Sequence, residues 1–265
     1  MLYVPDELIG RFYVLAGLLG AIFGSFANAL AWRIPHGISI ADGRSRCPQC
    51  HAQLYWYHNI PILSYLVLRG RCGHCGKPIP IRYLLVELIM TAGFVLNAWM
   101  FPELLHFLRA SFLVAVLVLL SAIDLEHMIL PDVISLPAAG LMLGLAFLPW
   151  SPVDWREALI AGGGGFASFW AIGALFRWLR GIDGLGFGDV KLMLLVGFSV
   201  GLRGLLLTII LGSLSGLVVG GISVLRSGGN SQTRFPFGPF LAAGCLLALW
   251  FAPWLEPVFF PDLTQ

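Results

Sequence analysis

Long apolar runs separated by short polar connections dominate this chain, and their spacing predicts eight membrane-spanning helices. They fall at about 12–32, 83–101, 110–125, 132–149, 157–178, 188–202, 204–225 and 238–256. Each approaches the roughly 20 apolar residues that a helix needs to cross a bilayer. The sixth is the shortest, because the run from Leu192 to Leu202 is interrupted at Arg203 and Gly204. Joined to the seventh, Leu192 to Leu225 would measure about 50 Å at 1.5 Å per residue, well beyond a hydrocarbon core of about 30 Å. Two spans are therefore expected there. The fold class that follows is an all-α polytopic membrane protein in three parts: an N-terminal anchor (1–32), one sizeable polar insertion (33–82) and a seven-helix membrane domain (83–265). The first run reads as a retained anchor, since only Arg11 precedes it within the chain's polar start and Trp32, Arg33 and Pro35 follow, with no small-residue cleavage site.

Composition supports the membrane assignment, with 58% hydrophobic and 11% charged residues among 265. A net charge of +2 points to neither a nucleic-acid binder nor an acidic scaffold, so placement of charge carries the information. If 33–82 faces the cytosol, that side collects Arg33, Arg44, Arg46, Arg69, Arg71, Lys77, Arg82, Arg177, Arg180, Lys191, Arg226 and Arg234, leaving Arg11, Arg109, Arg156 and Arg203 outside. Asp6, Glu7, Glu103, Asp154, Glu157, Glu256 and Asp262 gather on that outer side. The bias is the positive-inside pattern, and it places both termini on the outer side. Glycines crowd the later helices, notably Gly162 to Gly165, Gly212, Gly216, Gly220 and Gly221, as close packing between membrane helices requires.

The insertion is too small for a strong core and needs a staple. Cys47 and Cys50 form one CxxC pair and Cys72 and Cys75 another, with 21 residues between the pairs. Each pair is a tight turn aiming two sulfurs at one point, and four thiolates make a closed tetrahedral zinc site with no position left for water. Pro48, Gly73 and Gly76 suit such turns. Disulfides are disfavoured in a reducing cytosol. His51 and His74 are weaker candidates, each adjacent to a cysteine already placed to bind. Cys245 lies inside the last span and reads as packing.

Acids inside or at the edge of spans are costly to place and are functional candidates. Asp124 ends the third span after an uncharged run, and Asp189 opens the sixth after the approach Gly184-Leu185-Gly186-Phe187-Gly188. Missing side chains there allow another backbone or a substrate strand to come close. Two carboxylates at similar depth in different helices can share a proton, one acting as base toward water while the other donates to a carbonyl, which is aspartyl protease chemistry. Asp132, after Leu130-Pro131, reads as a helix cap, a role also open to Asp189. Glu87, about one turn inside the second span, is expected to pair with Arg82 or another base. Asp183 reads as a loop charge. No GxSxG or HExxH pattern competes, and the six histidines do not cluster with a nucleophile. Two other classes fit the composition: a transporter relaying protons through Asp124 and Asp189, and a membrane-anchored zinc adaptor. The first is disfavoured by both acids lying at one face rather than at a midplane repeat interface, the second by eight spans where an anchor needs few.

These residues in this order resemble the bacterial type IV prepilin leader peptidases, which share a GxGD motif with presenilin-type intramembrane proteases. Gly24-Ser25-Phe26-Ala27-Asn28 with Arg33-Ile34-Pro35 is similar to the family's N-terminal signature. The cytosolic loop is matched by Cys47-Pro48-Gln49-Cys50, Asn59-Ile60-Pro61, Ser64, Cys72-Gly73-His74-Cys75, Arg82-Tyr83 and Glu87. Ile123-Asp124-Leu125 with Leu130-Pro131-Asp132 resembles the first catalytic region, and Gly186-Phe187-Gly188-Asp189-Val190-Lys191 the second. The resemblance implies Asp124 and Asp189 as the catalytic pair with Asp132 in support. It also implies cleavage, after a glycine, of a short basic leader from prepilin or pseudopilin precursors at the cytosolic face. Methylation of the new amino terminus with S-adenosylmethionine is implied too, although no glycine-rich nucleotide loop shows a binding site for it. The insertion is itself basic, with Asp42 its one acid, which suits contact with anionic lipid headgroups.

Overall fold

The computed structural model describes residues 3–39, 46–47, 49–50, 52–181, 184–226 and 236–260. Pro48, His51, Asp42, Arg44, Asp183, Arg234 and Asp262 lie outside the described residues. The helices are α1 (Ile9–Arg33), α2 (Leu63–Val67), α3 (Ile81–Met100), α4 (Leu104–His127), α5 (Asp132–Ala146), α6 (Trp155–Arg180), α7 (Phe187–Arg226) and α8 (Gly238–Phe259). Among the described residues no extended strand occurs, and three isolated bridges are the extent of β pairing. Six helices, α1, α3, α4, α6, α7 and α8, are long and apolar enough to cross a membrane, and α5 is a shorter apolar helix. In a bilayer such a chain must satisfy its backbone polar groups internally, which helices do. The protein is all-helical, and the predicted spans match its helices to within a few residues except at the third. There α4 begins at Leu104, and Arg109, expected ahead of the span, is buried inside the helix at 5% exposure.

The chain divides into two compact units, Met1–Ala122 and Ile123–Gln265. In the first, α1 packs along α3 through small residues. A Cβ on Gly24 would sit 2.7 Å from the Glu87 Cα, and one on Gly20 would sit 2.8 Å from the Met90 carbonyl oxygen. Ala16, Ala27 and Ala31 continue the buried stripe. Bare backbone on backbone is the packing that apolar solvent rewards, because dispersion contacts rather than water exclusion drive helix association there. Asn28 adds a polar tie by donating from Nδ2 to the Tyr83 carbonyl at 2.9 Å.

In the second unit α7 packs against α5, α6 and α8. A Cβ at Gly197 would collide with the backbone of Gly162 on α6, and one at Gly244 of α8 would lie 2.6 Å from the Thr208 carbonyl oxygen. The 40 residues of α7 would run about 60 Å as one straight helix. They do not, because Gly201 breaks the helix at φ 70° and ψ −172°. Backbone of that shape is accessible to glycine and costly for other residues. The division into two helices was expected at Arg203 and Gly204; it occurs at Gly201, the residue that can take the conformation. The exposed Leu202 N–H finds a partner in Glu157 Oε1 at 3.2 Å, so the broken end is capped from α6.

Two substitutions should separate packing glycines from tolerant ones. Gly24→Ala should lower stability by roughly 1–3 kcal/mol through overpacking. Gly140→Ala, with nothing within 4 Å of its added Cβ, should be neutral or raise stability by up to about 1 kcal/mol. Thermal unfolding in detergent reads both.

Candidate active site and metal centre

Two acids expected from sequence come together in the second unit. Asp124 lies near the end of α4 and Asp189 in the first turn of α7, and they are close enough for their charges to interact. Both are buried, at 6% and 9% exposure. The first turn of a helix favours an acid through the helix dipole. Their surroundings explain how the chain tolerates them. The N–H of Gly238, at the start of α8, donates to Asp124 Oδ2 at 3.1 Å, and a Cβ on that glycine would lie 2.7 Å from the same oxygen. Only an unsubstituted residue lets the backbone reach the carboxylate. Leu130 links the two sides: added Cβ atoms at Gly188 and at Gly238 would each run against its side chain, at 3.0 and 3.4 Å. The glycine-rich approach to Asp189 thus leaves room for Leu130 and, at Gly186, for the Asp189 carboxylate, 3.0 Å from where a Cβ would stand.

Sequence reasoning gave no role to Gly238, although its place just before Pro239 at the start of an apolar run was visible. Asp132 is corrected. It is the first residue of α5, whose N-terminal cap is Pro131 with no side-chain cap bond. Its carboxylate accepts from Lys191 Nζ at 2.6 Å, and that ammonium also lies 4.7 Å from the centre of the Phe187 ring. The pair ties the start of α5 to the start of α7. Glu87 is held by a backbone amide and a hydroxyl. Its Oε2 accepts the Ile62 N–H at 2.7 Å, and the Ser25 hydroxyl bonds to the same carboxylate.

Ile62 has φ 63° and ψ −54°, an uncommon conformation for a β-branched residue. The Leu63 N–H donates to the Pro61 carbonyl across it at 2.6 Å, so the chain makes the strained form of γ-turn. Such backbone costs about 1–3 kcal/mol and persists where the surroundings hold it. The Glu87 carboxylate supplies that hold.

In the first unit the sulfurs of Cys47, Cys50, Cys72 and Cys75 lie within 4.8 Å of one another. Two turns of the same form deliver them. The Cys47 N–H donates to the Ala52 carbonyl at 3.0 Å and the Cys72 N–H to the Lys77 carbonyl at 2.9 Å, while Arg46 bridges Gln53 and Arg71 bridges Pro78. His74 stays out of the cluster and stacks on Tyr55 at 5.4 Å. Burial pushes the Cys72 thiol up, but hydrogen bonds from the Cys75 and His74 backbone outweigh it and bring the thiol down to about 7. The Ala52 backbone N–H favours the Cys50 thiolate, yet burial and the neighbouring Cys47 and Cys75 groups prevail and push it up to about 11. Four sulfurs this close do not all ionise without a cation among them, and the set can hold a metal ion. Cys245 is buried in α8, as packing requires.

A cavity of about 770 Å³ opens beside this cluster, bordered by Cys47 and Cys72 and reaching to Asn28 on α1 and Glu87 on α3.

The comparisons with known proteins decide the family. Residues 18–101 match the bacterial peptidase A24 N-terminal domain and residues 111–221 the type IV leader peptidase family. The chain belongs to the type IV leader peptidase family. It is 34% identical over 275 residues to a prepilin leader peptidase/N-methyltransferase of Xanthomonas campestris, covering 92% of this chain and 93% of that one. The protein of the same name from Pseudomonas aeruginosa is 36% identical over 262 residues, covering 88% of each. A type 4 prepilin-like proteins leader peptide-processing enzyme of Escherichia coli is 35% identical over 259 residues, covering 89% and 93%. No solved structure matches significantly.

The metal centre has its own test. Cys72→Ser should lower the metal content of the purified full chain several-fold and render 46–79 sensitive to limited proteolysis. Elemental analysis and peptide mapping read the two effects, and a variant that keeps full metal and full resistance would remove the four-sulfur site.

Proposed function

We propose that this leader peptidase is a membrane aspartyl endopeptidase that removes the short basic leader of type IV prepilins or type II secretion pseudopilins after a glycine, on the cytosolic side. N-methylation of the new amino terminus, with S-adenosylmethionine as donor, follows. The observation that carries the reading is the buried pair of carboxylates, Asp124 and Asp189, held at the ends of separate helices within range of each other's charge. One carboxylate, ionised, takes a proton from water as the water attacks the scissile carbonyl, while the other, protonated, donates to the carbonyl oxygen; as the C–N bond breaks, the first passes its proton to the leaving amine and the second takes one back from the gem-diol hydroxyl. Gly238 fixes the orientation of Asp124 by donating to Oδ2. Asp132, paired with Lys191, supports the site by anchoring α5 to α7.

The same reading takes the metal as structural zinc, since four cysteine ligands close the coordination sphere. It takes the chain as an inner-membrane protein crossing eight times, with the break at Gly201 dividing α7 into two crossings, the cysteine loop in the cytosol and both termini in the periplasm. The partners are the precursors and the lipid bilayer; nucleic acid has no part.

The test is cleavage of a prepilin bearing a basic leader by the purified chain in liposomes. Asp124→Asn and Asp189→Asn should each reduce cleavage by roughly 10²–10⁴-fold, the range that general acid and base groups contribute, with helix content and metal content unchanged. Cleavage at the wild-type rate by both folded variants would dismiss the pair.

A further inference from the structure

The cavity between α1, α3 and the cysteine loop has no part in peptide cleavage as described, and its lining is chemically specific. Glu87 presents a buried carboxylate, locked by the Ile62 N–H at 2.7 Å. Asn28, 3% exposed, spends its Nδ2 on Tyr83, while its Oδ1 has no hydrogen-bond partner among the described residues. His58, also in the lining, carries a buried Nδ1 in the same condition. Buried polar atoms without partners are uncommon, and each calls for a missing partner, a donor in the case of the Asn28 oxygen. Trp32 adds an aromatic face and Arg33 a guanidinium. A volume of about 770 Å³ is in the range of small-molecule sites, roughly 300–1,000 Å³.

We propose that this cavity is the binding site for a sulfonium nucleoside, the methyl donor, with the Glu87 carboxylate facing its positive end. A sulfonium amino-acid nucleoside has four recognisable parts, and the cavity offers a counterpart to each. The cationic end meets Glu87. The amino-acid carboxylate meets Arg33, because guanidinium recognises carboxylate by paired hydrogen bonds. A purine supplies a flat face for Trp32 and an exocyclic N–H for the Asn28 oxygen. The strained turn at Ile62 then has a use: it turns the backbone N–H onto Glu87 and keeps that carboxylate in place. Cys47 and Cys72 form part of one wall, so metal would shape the donor site without touching the chemistry. This inference rests on the methylation half of the proposed function, and on nothing in the cleavage half.

The experiment uses the full chain in detergent, with S-adenosylmethionine and its demethylated product as probes, read by calorimetric titration and by photocrosslinking of radiolabelled donor with peptide mapping. The expected result is saturable binding with label within 25–33 or 58–87. Glu87→Gln should weaken the donor at least tenfold, and weaken it more than the uncharged product, because only the donor is a sulfonium. Ala29→Trp, which fills the cavity from α1 and removes no side-chain hydrogen bond, should abolish binding of both while prepilin cleavage and metal content persist as evidence of folding. Equal binding by wild type and Ala29→Trp, or label mapped outside these segments, overturns the site and leaves the methylation reading standing. A wild-type chain that cleaves prepilin but binds neither probe overturns the methylation reading itself, and the site with it.

Discussion

Backbone amides and carbonyls cannot be left without partners in hydrocarbon, and most of this protein's form follows from that. Helices satisfy them within one segment, so apolar runs become helices whatever their side-chain detail. What remains to be chosen is how the helices touch. Lipid tails are as apolar as leucine, so the gain comes from close contact, and glycines supply it at Gly24 against Glu87 and at Gly197 against Gly162. Irregular backbone is then confined to places where some other group meets the orphaned amide. Leu202 after the break at Gly201 is met by Glu157, Ile62 in its strained turn by Glu87, and Gly238 by Asp124.

In each of those three cases the partner is a carboxylate. Glu157 is exposed, but Asp124 and Glu87 are buried; an acid buried in a membrane helix is expensive, and pairing it with an unsatisfied N–H offsets two costs at once. The device differs in consequence from site to site. Glu157 caps a helix. Asp124 has one oxygen occupied and a second acid within electrostatic range. Glu87 is fixed at the edge of a cavity where Asn28 Oδ1 and His58 Nδ1 lack partners among the described residues. Chemistry in this protein is thus placed where backbone regularity fails, because that is where polar groups can be held without water.

Much of the buried acid pair was legible from residue order. An uncharged run ending in Asp124 and a glycine-rich approach ending in Asp189 mark positions where an acid is either functional or ruinous. The four cysteines were legible for a similar reason, since two CxxC pairs leave little freedom. A repeat was missed there: the two turns are related by a shift of 25 positions, with Arg46, Cys47, Ala52 and Gln53 corresponding to Arg71, Cys72, Lys77 and Pro78. The leading arginine and the two cysteines are the residues shared in type between 46–53 and 71–78, so most of the likeness lies in backbone hydrogen bonds rather than in side chains. Asp132 was misread because capping is a local expectation, whereas its partner, Lys191, is 59 positions away; the Ile62 amide that holds Glu87 is 25 positions away.

The sequence by itself determined the helices, their approximate ends, the four-cysteine cluster and the identity of the two acids. These depend on composition within one segment, or on ligand types whose chemistry admits few alternatives. Tertiary structure alone decided the site of the break in α7, the donation from Gly238 to Asp124, the ion pair of Asp132 and the cavity beside the cysteines. Each of these is a meeting of segments far apart in the chain, and a pattern of hydrophobic positions says which face of a helix is buried but not which atom it will meet.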